Sequence, residues 1–138
     1  MNSSRLPGKV LMQVKDKPLL LHMYQRVIYA NEIDEVIIAT SNEKSDEDIV
    51  KFCQSNKIIY FCGNLEDVLD RYYHAAKISD ATIVVRLTGD CPIIDPKVID
   101  SVVSVYKNEN YDFVANTAPP DGITYPEGMD VEVFSMSA

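Results

Sequence analysis

The chain has no long hydrophobic run and few cysteines. No apolar stretch approaches the roughly 20 residues of a bilayer-spanning helix, and the N-terminus shows no hydrophobic segment typical of a signal peptide. The three cysteines are widely spaced and form no CxxC pair, which argues against a disulfide framework or a cysteine metal site. We therefore expect a cytoplasmic protein with no membrane partner.

Positive charge is also scarce. Lys and Arg number 13 against 21 Asp and Glu, which gives a formal net charge of −8. DNA, RNA or an anionic membrane would be approached against repulsion, so we expect no nucleic-acid partner, although a local basic loop can still bind a nucleoside triphosphate. The 138 residues, 46% of them hydrophobic, suffice for a buried core, and we expect a single domain over residues 1–138.

Short β-branched runs alternate with helical patterns along the chain. Helices are predicted with Ser45, Asn64 and Asp95 as caps. The predicted helices span 18–31, 45–53, 64–77 and 96–106, and the predicted strands span 35–40, 57–62, 82–87, 112–115 and 131–134. This order predicts an α/β fold with a mostly parallel sheet and helices on both faces, which binds ligands at the carboxyl ends of its strands.

The N-terminal segment SSRLPGK is suited to binding an anion with several phosphates. The Pro-Gly pair bends the backbone, two hydroxyls precede it, and a guanidinium and an ammonium flank it. The residues concerned are Ser3, Ser4, Arg5, Pro7, Gly8 and Lys9. A solvated N-terminal tail would have a similar composition, so the spacing alone leaves both interpretations open.

A carboxylate follows the most regular of the predicted strands. Asp90 comes directly after Thr88 and Gly89, and a glycine there lets a ligand approach the backbone closely. A carboxylate at a strand end is well placed to hold Mg²⁺, which prefers oxygen ligands and bridges to phosphates. Alternatively, Asp90 caps the turn at Pro92.

Blocks spread along the whole chain resemble one enzyme family. They are MNSSRLPGKVL at 1–11, GNLEDVLDRY at 63–72, VRLTGDCP at 85–92 and PEGMDVEV at 126–133. Together they are similar to the cytidylyltransferases that make CMP-activated acidic sugars. The spore-coat polysaccharide biosynthesis protein F group is most similar, and the CMP-Kdo and CMP-sialate synthetases are further off.

The resemblance implies a Rossmann-like nucleotidyltransferase fold and a Mg²⁺-dependent transfer of CMP from CTP to a sugar, with release of pyrophosphate, for surface polysaccharide synthesis. It implies that Arg5, Lys9 and Asp90 are catalytic, with Asp90 holding the metal. It further implies that the nucleotide is bound by Ser3, Ser4, Arg5, Gly8, Lys9, Thr88 and Gly89.

Four residues are candidates for substrate binding. Arg71 could face the nucleotide or sugar, or pair with Asp67 one helical turn earlier. An unpaired Arg86 within an apolar strand would be costly, so we expect it to contact the ligand or Glu132. Asp130 and Glu132 share one face of a strand. That face contacts the sugar, or it is simply a solvated edge.

In the family, a hydrophobic strand precedes the first block and a second metal-binding carboxylate follows the last. This chain opens at the first block and ends at Ala138. We therefore expect a fragment of a longer homo-oligomeric enzyme, with poor activity of its own. The residues that select the base and complete the metal site would then lie outside the chain.

Two other functions stay open. The chain could be a non-catalytic sugar-nucleotide-binding or assembly fragment. It could also be a glycosyltransferase of the same α/β architecture, since fold does not fix function. Such transferases use an Asp-x-Asp metal motif, and the nearest match here is the stretch 46–48, which is more typical of a helix-capping turn.

Overall fold

The computed structural model describes residues 8–117 and 125–137. Contacts between backbone positions divide it into two compact units. The first contains Glu35–Ala81 together with Gly8 and Lys9. The second contains Val10–Asp34 and continues from Thr82 to the end of the described chain. The predicted single domain stays a prediction, because one domain can contain two such units.

The first unit consists of two parallel strands and two helices. Its elements are β3 (Ile37–Ser41), α2 (Glu47–Asn56), β4 (Ile59–Gly63) and α3 (Val68–Ile78), with a 3-10 helix at Lys44–Asp46. The strands pair in register from Ile37 with Ile59 to Ser41 with Gly63. Parallel pairing requires a crossover connection, and α2 provides it.

The second unit contains a hairpin, two helices and a three-stranded sheet. Its elements are a 3-10 helix that begins at Lys9 (Lys9–Leu11), β1 (Gln13–Val14), β2 (Lys17–Pro18), α1 (Leu19–Val27), β5 (Ile83–Arg86), α4 (Pro96–Asn108), β6 (Phe113–Ala115) and β7 (Glu132–Ser135). The order in the sheet is β5-β7-β6, and β7 is antiparallel to both neighbours. Strands β5 and β6 therefore run parallel to each other.

The core of the second unit lies between α4 and the sheet. Its five largest fully buried side chains are branched aliphatics, the residue type that packs best on a pleated surface. They are Ile94, Ile99, Val103, Val131 and Val133. Alternate burial of Val131 and Val133 leaves Glu132 on the other face of β7.

The predicted α/β class is confirmed, and every predicted strand and helix is present in the described residues. Asp95 caps α4 as predicted, because its carboxylate accepts from Lys97 N–H at 2.9 Å. Two predicted caps are wrong. Asp67 rather than Asn64 caps α3, by accepting from Asp70 N–H at 2.9 Å. Asp46 rather than Ser45 occupies the position before α2.

The sequence pattern did not predict the β1–β2 hairpin. Its two-residue turn places Lys15 and Asp16 at φ of 48° and 65°, a conformation that hairpins normally assign to Asn and Gly. Without those residue types, the sequence gives no local turn signal. No helix in the described part of the chain is long and apolar enough to cross a membrane.

Strands β3 and β5 each have a hydrogen-bonded neighbour on one side only in the described residues. Because open strand edges pair with other chains, we predict that the 138-residue chain self-associates. Sedimentation velocity across a concentration series should show species heavier than the 15.5 kDa monomer. A monomer at every concentration would contradict this prediction.

Candidate functional site

The turn after β5 carries the predicted metal-binding carboxylate at the surface. Gly89 and Asp90 are exposed, whereas Cys91 is buried. Cys91 N–H donates to the Thr88 carbonyl oxygen at 3.2 Å and closes the turn. The fully buried Ile94 anchors the residues that follow, and Arg26 Nε donates to its carbonyl oxygen at 2.5 Å. Asp90 is therefore held on a fixed backbone at the carboxyl end of a strand.

Gly89 is not required by the protein's own packing. Its φ lies outside the left-handed region, and an added Cβ would lie 3.7 Å from Leu20 Cδ1 and 4.0 Å from Val10 Cγ1, which are ordinary contact distances. A side chain would therefore fit without strain. The absence of one at this exposed position leaves room for a ligand to approach the backbone.

The segment 126–131 packs against the same turn. Gly128 adopts φ of +84°, and a Cβ built on it would lie 3.8 Å from Cys91 Sγ. Cys91 Sγ in turn lies 3.1 Å from Thr88 Oγ1. Two of the four sequence blocks therefore meet through the Cys91 side chain.

An ion pair joins the same two blocks at the sheet. Arg86 ends β5, Glu132 begins β7, and the two residues are register partners. Arg86 Nη1 donates to Glu132 Oε2 at 2.5 Å, with the side chains 33% and 25% exposed. Of the two partners expected for Arg86, the structure shows Glu132, and a contact with the ligand stays a prediction. Asp130 lies just before the strand with its residue exposed.

Gly8 and Lys9 belong to the first unit, and Asp90 belongs to the second. Gly8 has φ of +72°, which agrees with the bend predicted at the Pro-Gly pair. Ser3, Ser4 and Arg5 lie outside the described residues. That Lys9 and Asp90 meet around one ligand stays a prediction.

Arg71 holds the loop that precedes its own helix. Its Nη1 donates to the carbonyl oxygens of Asn64 at 2.7 Å and Leu65 at 3.3 Å, so these bonds go to the loop rather than to Asp67. A Cβ on Gly63 would lie 2.9 Å from Phe61 Cε1 and 3.1 Å from Arg71 Cγ. An added side chain at Gly63 would therefore require Phe61 or Arg71 to shift. Substrate binding by Arg71 stays a prediction.

Asp46, the first residue of the 46–48 stretch, is a buried carboxylate. It accepts from Thr40 Oγ1 at 2.9 Å, Ser41 Oγ at 2.7 Å and Ser41 N–H at 3.1 Å. Burial raises the pKa of Asp46, and the hydrogen bonds from Ser41 and Thr40 lower it. Its bonds to β3 weaken the Asp-x-Asp interpretation of 46–48.

The described residues contain no cluster of three or more His, Cys, Asp or Glu side chains that could hold a metal ion. At the turn after β5, Asp90 offers one exposed carboxylate. Mg²⁺ is commonly held by one or two carboxylates together with substrate phosphates. The donor set therefore fits a magnesium ion that binds with a nucleotide, and it does not form a preassembled metal cage.

Comparison with known proteins identifies the family. The family model described as "Cytidylyltransferase" matches residues 1–126. The chain belongs to the cytidylyltransferase family. The resemblance found in the sequence is thereby confirmed.

Individual relatives agree with this assignment. The spore coat polysaccharide biosynthesis protein SpsF of Bacillus subtilis is 32% identical over 127 residues, which are 89% of this chain and 53% of that protein. The 3-deoxy-manno-octulosonate cytidylyltransferase of Geobacter metallireducens is 34% identical over 102 residues, covering 74% of this chain and 39% of that protein.

A solved cytidylyltransferase from Leptospira borgpetersenii has the same fold, with a TM-score of 0.89 and 34% sequence identity. The match covers 99% of this cytidylyltransferase chain and 57% of that one. The expected Rossmann-like nucleotidyltransferase fold is confirmed. The chain spans about half the length of the Bacillus subtilis and Leptospira borgpetersenii proteins.

We expect substitution by alanine to have different effects on stability at Gly89 and at Gly128. We expect Gly89→Ala, tested in the longest natural form of the protein, to change the unfolding free energy by less than about 0.5 kcal/mol. Its affinity for CTP should fall about tenfold, because a methyl group enters the space of the ligand. Calorimetric titration with CTP and thermal unfolding measure the two effects.

Gly128→Ala is the matched control. Its positive φ should make alanine cost about 1 kcal/mol of stability. If Gly89→Ala destabilised the protein as much as Gly128→Ala, Gly89 would have a structural role instead.

Proposed function

We propose that the chain is the nucleotide-binding part of an enzyme that transfers CMP from CTP to a sugar and releases pyrophosphate. The observation that carries the proposal is the Thr88-Gly89-Asp90 turn at the carboxyl end of β5, where Gly89 and Asp90 are exposed. The chain that contains it matches the family model of the cytidylyltransferases. Ligands bind α/β sheets at such strand ends.

The proposed reaction is an in-line displacement at phosphorus. A hydroxyl oxygen of the sugar attacks the α-phosphorus, the bond to the bridging oxygen breaks, pyrophosphate departs, and the hydroxyl proton passes to solvent. Arg5 and Lys9 would neutralise the charge that develops on the departing pyrophosphate. Ser3, Ser4, Gly8, Thr88 and Gly89 would contact the nucleotide.

Magnesium, when bound, would shield the phosphate charges and polarise the phosphoryl oxygens. In this proposal, Asp90 supplies the carboxylate that this chain contributes to it. Arg86, Asp130 and Glu132 would line the sugar side. The ion pair between Arg86 and Glu132 fixes both side chains, and such fixed groups orient an acceptor at little entropic cost.

The sugar is proposed from the relatives. One is named for spore coat polysaccharide biosynthesis and another for 3-deoxy-manno-octulosonate. We infer that the acceptor is a sugar or sugar acid destined for a surface polysaccharide, that the protein acts in the cytoplasm, and that it works as a homo-oligomer. The buried free thiols of Cys53 and Cys91 fit a reducing compartment.

Pyrophosphate release tests the activity. The longest natural form of the protein should release pyrophosphate from CTP with Mg²⁺ and one member of a panel of sugars that includes 3-deoxy-manno-octulosonate, its 8-amino derivative, sialic acid and neutral hexoses. ATP, GTP and UTP serve as controls for the base. If no sugar gave pyrophosphate with any nucleoside triphosphate, a non-catalytic binding role would replace this proposal.

Asp90→Asn should lower turnover at least about 100-fold. Mutating a residue that only hydrogen-bonds a metal ligand lowers activity ~10–100-fold, and removing the charge of the ligand itself should have a larger effect. The fold should be retained, since the residue is exposed. Asp95→Asn is the matched control, because asparagine caps a helix as well as aspartate. Pyrophosphate assays and circular dichroism compare the two. Near-normal turnover in Asp90→Asn would show that Asp90 only shapes the turn.

A further inference from the structure

Asn116 follows β6 and clasps the segment that carries Asp130. Its Nδ2 donates to the Met129 carbonyl oxygen at 2.7 Å, and its Oδ1 accepts from Val131 N–H at 2.8 Å. Its own N–H donates to the Val131 carbonyl oxygen at 3.3 Å. The side-chain amide therefore satisfies one acceptor and one donor on the two residues that flank Asp130.

These bonds continue the sheet beyond its last paired residues. Ala115 and Glu132 are the final register partners of β6 and β7. Beyond them, the amide of Asn116 provides the two hydrogen bonds that a neighbouring strand would otherwise provide to the backbone. Asn116 and Val131 are fifteen positions apart in sequence, so the contact joins two distant parts of the chain.

The clasp leaves little freedom to the backbone at Asp130. On its N-terminal side, Gly128 packs against Cys91, in the turn that carries Asp90. On its C-terminal side, Val131 is fully buried. Between these anchors, Asp130 itself is exposed. A carboxylate held this way at the sheet edge is preorganised, because its backbone orientation is set before any ligand arrives.

We propose that Asn116 is a positioning residue for the acceptor side of the site, which acts by fixing the backbone that presents Asp130. This inference rests on the proposed function, since it needs Asp130 to face the acceptor. Asn116 does not touch the substrate in this proposal. Its effect on the reaction passes through the orientation of the Asp130 carboxylate.

The test is a double-mutant cycle in the longest natural form of the protein. The acceptor is the panel sugar that gives the fastest pyrophosphate release. Asn116→Ala should raise the acceptor KM about tenfold and leave the KM for CTP unchanged. Asp130→Asn should have a similar effect, and Asn116→Ala should add nothing to it when the two are combined. Asn108→Ala, an exposed helical asparagine whose amide bonds only Ser104, is the matched control.

Hydrogen exchange gives a readout that needs no ligand. The Val131 amide should exchange faster in Asn116→Ala than in the wild type or in Asn108→Ala. Asn116→Asp keeps an oxygen for Val131 N–H but places a second one against the Met129 carbonyl oxygen. Asn116→Asp replaces Asn116→Ala if the alanine variant does not fold. It too should add nothing to the effect of Asp130→Asn on the acceptor KM.

Fully additive effects on the acceptor KM, or an unchanged acceptor KM in Asn116→Ala, would overturn the positioning role. A wild-type protein that releases no pyrophosphate with any sugar fails one step earlier. It would overturn the proposed function and this inference with it. Failure of the positioning role is therefore seen in the variants, and failure of the proposed function is seen in the wild-type protein.

Discussion

The antiparallel insertion of β7 between β5 and β6 is the constraint on which the described half of the site depends. Because β7 runs against β5, the carboxyl end of β5 lies beside the amino end of β7. The turn that carries Asp90 and the segment that carries Asp130 therefore emerge at the same edge of one sheet. Burial of Val131 and Val133 fixes this register, since a slip by one residue would turn both valines out of the core.

Small residues and polar clasps then convert this edge into a defined surface. Gly128 adopts the positive φ at which the segment that carries Asp130 lies beside Cys91, and Asn116 ties the same segment to the end of β6. The Arg86–Glu132 pair closes the sheet below them. The contacts of Gly128 and Asn116 involve main-chain atoms or short side chains, so the backbone on either side of Asp130 is held by rigid structure.

The first unit uses a comparable device at the end of β3. There, the buried carboxylate of Asp46 accepts hydrogen bonds from Thr40 and Ser41, which fixes the chain as it leaves the strand. Arg71 likewise holds the carbonyl oxygens of the loop after β4. In the first unit, the charged side chains of Asp46 and Arg71 thus hold the ends of strands, which residue type alone does not reveal.

The sequence by itself determined the α/β class, the approximate positions of the strands and helices, and the family, because β-branched runs, helical periodicity and ordered motif blocks are local features. It also placed Asp90 directly after a strand and gave Glu132 as one of two partners for Arg86. Only the tertiary structure decided that β7 lies between its neighbours, that Asp46 points inward, and that Asn116 clasps Val131 fifteen positions away. Such pairings depend on which distant backbone groups are left without partners after the sheet forms, and no local pattern records that.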